Sequence, residues 1–151
     1  MADSLREKIL ANVETTLETI TVVGGYNHDI TTKQVTREKK PTRKIPTDAL
    51  PHFLIWGITD EPTQHGQLDI AHFRVQIKGI TPHGYDDEGA SKKIEKLLED
   101  CKKVLMVDPT RGQENVYSRI GTIEFPEQWM KNTAQFTLSL NCVFAESRAN
   151  A

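Results

Sequence analysis

Apolar positions recur at helical spacing in two stretches of the chain and alternate with polar ones in five others. In the first stretch Leu5, Ile9, Leu10, Val13, Leu17 and Ile20 share one face, while Arg6, Lys8, Glu14 and Glu18 face away from it. Ser4 followed three residues later by Glu7 is a capping box, which places the helix start at Ser4; Gly24 and Gly25 are expected to end the element. Residues 27–37 carry β-branched Ile30, Thr31, Thr32, Val35 and Thr36 in weak alternation, the pattern of a peripheral strand. Pro41, Pro46 and Pro51 then forbid regular pairing, so residues 38–51 read as an exposed, mobile loop.

The run His52 to Ile58 is the most apolar strand. Phe53 and Ile55 point to one face and Leu54, Trp56 and Ile58 to the other, so both faces require cover. After a loop over 59–66, residues 67–80 alternate cleanly, with Ala71, Phe73, Val75 and Ile77 inward and His72, Arg74, Gln76 and Lys78 outward, and pair with the preceding strand as a hairpin. A second helix over 88–105 buries Ala90, Ile94, Leu97, Leu98, Cys101 and Leu105, and Asp108 with Pro109 ends it. Asp86, Asp87 and Glu88 complement the positive end of its dipole, and three adjacent acids lack the alternating ligand spacing of a calcium loop. The chain closes with a hairpin of residues 114–125 and 133–144, joined by a segment containing Trp129 and Met130, and a loose tail over 145–151. In the first of these strands Val116, Ser118, Ile120 and Thr122 oppose Tyr117, Arg119, Ile123 and Phe125. The expected architecture is one α+β domain over residues 1–151, of order αβββαββ, with two amphipathic helices on one face of an antiparallel or mixed sheet.

Composition narrows the functional classes. A chain of 151 residues suits a single domain, and 19 basic against 21 acidic residues argue against a surface devoted to nucleic acid or anionic lipid. No apolar run approaches the roughly 20 residues of a membrane span, and the N-terminus lacks the layout of a secretory signal, so the expectation is a protein that stays where it is made. Cys101 and Cys142 each fall in an apolar pattern and read as buried core thiols. His28, His52, His65, His72 and His83 are scattered without zinc-ligand spacing and read as surface residues. Gly24 and Gly25 follow a helix and so do not form a phosphate loop; Ser91 and Ser118 have no base with an orienting group. No catalytic residue, cofactor or metal is expected. From Lys33 to Lys44 six basic residues face one acid, Glu38, which leaves two readings open: a solvated connection, or a loop that orders against a partner through Lys39, Lys40, Arg43 and Lys44.

Three segments carry a family resemblance: residues 6–20 followed by Gly24, Gly25, Tyr26 and Asn27; the hairpin begun by Leu50, Pro51, His52, Phe53, Leu54 and Ile55; and the helix end Leu105, Met106, Val107, Asp108, Pro109 and Thr110. In these and in layout the chain resembles the tail-terminator family of long-tailed bacteriophages, also called minor tail protein U or tail completion proteins. The resemblance implies a structural virion protein at the junction of tail and neck. It would form a homo-oligomeric, hexameric ring on the tail tube protein, end tail polymerisation and dock the head-completion protein, with passing contact with genomic DNA and none with membrane. A ring uses two different, complementary faces, and Leu54, Trp56, Tyr117 and Ile123 are the surplus apolar residues expected at such a subunit interface. A head-side connector or stopper shares the size and the lack of chemistry, and a small enzyme or ligand-binding domain is the competing class.

Overall fold

The computed structural model describes residues 4–38, 50–66, 68–82, 90–126 and 133–147. In chain order they form helix α1 (Leu5–Leu17), strands β1 (Val35–Thr36), β2 (His52–Thr59), β3 (Thr63–His65) and β4 (Leu68–Pro82), helix α2 (Ala90–Leu105), and strands β5 (Tyr117–Glu124) and β6 (Thr133–Ser147). The expected α+β order holds, with the short β3 added inside the 59–66 loop. The strands join in one sheet of order β1-β2-β4-β6-β5, and β3 pairs with the start of β4. Only β1 and β2 run parallel, so the sheet is mixed.

The two longest strands, β4 and β6, pair along their whole length, from Leu68 opposite Ser147 to Pro82 opposite Thr133. Their alternation therefore decides both faces of the sheet. Ala71, Phe73, Val75 and Ile77 of β4 and Phe136, Leu138, Leu140, Cys142 and Phe144 of β6 meet Ile9, Val13 and Leu17 of α1 and Ile94, Leu97, Cys101 and Leu105 of α2 in one buried core. Each large side chain so buried contributes roughly 1.5–3 kcal/mol of hydrophobic stabilisation. Two glycines make room for aromatic rings on this side: a Cβ at Gly79 would overlap the ring of Phe136, and one at Gly57 the ring of Phe73.

Several local expectations are corrected. The Ser4 hydroxyl caps α1 by accepting from Glu7 N at 3.2 Å, but the Glu7 carboxylate is taken by Arg37, whose Nη2 donates to it at 2.7 Å. The helix stops at Leu17, well before Gly24 and Gly25, which lie in a separate turn. Thr19 Oγ1 donates to the Thr16 carbonyl at 2.6 Å, a side-chain competitor of the kind that helps end a helix. Ile20 is buried all the same, because Ile30 N bonds its carbonyl at 2.9 Å and folds the following segment back. Arg6, expected outward, lies over the Phe144 ring at 5.3 Å.

Of the strand expected over 27–37, only Val35 and Thr36 pair in the sheet; Thr32–Gln34 is a 3-10 turn. The expected tail begins later than Phe144: Ala145 pairs with Ile70, and the strand continues through Ser147. The basic residues Lys39, Lys40, Arg43 and Lys44, the acids Asp86, Asp87 and Glu88, His83, the Ala90 side chain, Trp129, Met130 and residues 148–151 lie outside the described residues.

Candidate functional site

Because both helices take the inner face, the even-numbered side chains of β4 and their partners look away from them. The register sets these in rows: His72, Val143 and Tyr117; Arg74, Asn141 and Arg119; Trp56, Gln76 and Ser139; Leu54, Lys78, Thr137 and Glu124. The first two rows line a concavity of about 580 Å³ at the edge formed by β5. Arg74 donates from Nε to Asp60 at 2.7 Å and from Nη2 at 3.0 Å, and this hydrogen-bonded carboxylate pushes the guanidinium further above its ordinary pKa. His72 Nε2 lies 2.9 Å from Thr63 Oγ1, which ties β3 to the same rim. Arg119, two strands away across Asn141, forms no ion pair among the described residues. Gly121 lets the Asn141 amide lie across β5, since a Cβ there would overlap Asn141 Nδ2. Further along, Gln76 Nε2 donates to Ser139 Oγ at 2.8 Å and satisfies an otherwise costly buried pair.

The four apolar interface candidates separate into two kinds. Tyr117 is 59% exposed, and Trp56 is half-buried on the same face. Leu54, by contrast, is 0% exposed and packs with Ile80, Leu50 and Trp56 in a small second cluster, so it offers no surface of its own. Ile123 also departs from expectation. A register shift between Ile120 and Ile123 adds a residue to β5, turns Ile123 to the helix side and packs it, with Ile120, on the main core. An extra residue reverses the facing of everything beyond it, and nothing in the alternation of residues 114–125 announced it. Ser118 is buried and donates from Oγ to the Pro109 carbonyl at 2.7 Å, opposite in facing to Arg119.

The chain matches no known family model and no curated protein.

A second polar cluster lies between the segment after α1 and the buried side of α2. Asp100, 1% exposed, accepts from Asn27 N at 2.9 Å and Asn27 Nδ2 at 3.0 Å, and its Oδ2 lies 2.9 Å from His28 Nδ1. His52 is buried too, with Nε2 at 2.8 Å from Thr36 Oγ1. These two histidines are therefore structural partners rather than free surface residues. Cys101 and Cys142 are buried thiols; burial pushes both above the ordinary range, Cys142 to about 11 and Cys101 further. Arg111 is 1% exposed with φ +54, and its Nη2 donates to the Leu105 and Asp108 carbonyls, closing the C-terminal end of α2. Burial pulls its guanidinium below the ordinary pKa.

The rows of the open face were only half visible in the sequence. Alternation turned Arg74 and His72 outward, but their placement beside Arg119, Tyr117 and Asn141 depends on strand order and register, which no local pattern carries. Asp100 gave no signal, because an acid at the edge of an apolar helix stripe reads as a solvated position.

Proposed function

We propose that this chain is a structural virion protein that caps a phage tail tube as a homo-oligomeric ring, ends tail polymerisation and presents the docking surface for the head-completion protein. The observation that carries the reading is the sheet face turned away from both helices: among the described residues exposed Tyr117 and half-buried Trp56 lie there among polar side chains, while Leu54 and Ile80 of the same face are buried. An α+β domain that keeps an exposed aromatic on the side of its sheet away from the helices suits a protein whose work is contact with large partners. The opening helix, the hairpin begun at Leu50 and the end of α2, on which the family resemblance rests, support the same reading. Among the described residues no His, Cys, Asp and Glu side chains gather as a metal site.

Light scattering on the purified full chain tests the proposal. A hexamer of 17.1 kDa subunits gives about 103 kDa. A ring in solution, or one that forms on added tail tubes, is expected. A chain that stays monomeric at every concentration and also fails to bind tail tubes overturns it; a ring that binds head-side connectors but not tail tubes transfers the protein to the head side of the neck. The concavity with Arg74, Arg119, His72 and Tyr117 favours one other reading, a ligand-binding α+β domain. Saturable stabilisation of a monomer by a small anion, with no binding to tail tubes, would support that alternative.

A further inference from the structure

We draw no further inference here: the strongest candidate, the concavity lined by Arg74, Arg119 and the exposed Tyr117 on the side of the sheet away from the helices, carries none, because nothing in the structure shows what covers it.

Discussion

The His28 imidazole and the Asp100 carboxylate meet at 2.9 Å and fasten the segment that leaves α1 to the buried side of α2. Asp100 also holds the Asn27 backbone and side-chain amides, so a single carboxylate satisfies three donors in a place with little water. Asp100→Ala should cost about 2 kcal/mol or more, because it leaves those donors without an acceptor. Asp100→Asn, which keeps one acceptor oxygen, should cost less. Urea denaturation of both variants checks this; a loss in Asp100→Ala no larger than the about 0.5 kcal/mol of an ordinary surface change would remove the network from the account of stability.

Gly79 and Phe136 form a pair across the central strands, with the ring occupying the space a Cβ would need. Gly79→Ala should therefore destabilise the fold by about 1–3 kcal/mol, the usual cost of overpacking. Adding Phe136→Leu to Gly79→Ala should be less harmful than the two changes summed, and thermal melts of the double-mutant cycle measure that coupling.

Phe53 and Trp56, three residues apart on β2, face opposite sides of the sheet. Phe53 is 0% exposed in the main core, and Phe53→Ala should cost about 3–5 kcal/mol of folding stability. Trp56→Ala should cost the isolated chain less and show its larger effect on assembly, about 2 kcal/mol if the open face is the subunit interface. Equal unfolding of the two variants, with assembly unaffected once folding is allowed for, would place Trp56 in internal packing alone.

Acid should loosen two surface clamps. The Glu7 carboxyl is held below its usual range first by the hydrogen bond from Arg37, and the Asp108 carboxyl by the Thr110 hydroxyl, the Thr110 amide and the Gly112 amide. A carboxylate with a lowered folded pKa contributes stability above its unfolded value, about pH 4, and loses it as pH falls through the lower folded value. Denaturation midpoints should therefore drop as pH descends through and below pH ~4. The dependence should be shallower in Arg37→Ala; the same slope in that variant would show that Glu7 is not a contributor.

Whatever depends on local spacing was legible in the order of the amino acids. A 3.6-residue stripe specifies α1 and α2 as helices with one buried side, and period-two alternation specifies β2, β4 and β6 with their inward residues, because both periodicities follow from where successive Cβ atoms point. Phe73, Val75, Leu138 and Cys142 were legible as core for that reason. The tertiary structure decided what depends on which distant elements meet. Only the pairing of β4 with β6 and of β6 with β5 sets Arg74, Asn141 and Arg119 in one row, only the extra residue between Ile120 and Ile123 turns Ile123 inward, and only the docking of the 26–28 segment on α2 makes Asp100 a buried acceptor. Residues that are chain neighbours constrain each other through fixed backbone geometry. Residues 73 positions apart, as Asn27 and Asp100 are, meet because the whole core closes around them.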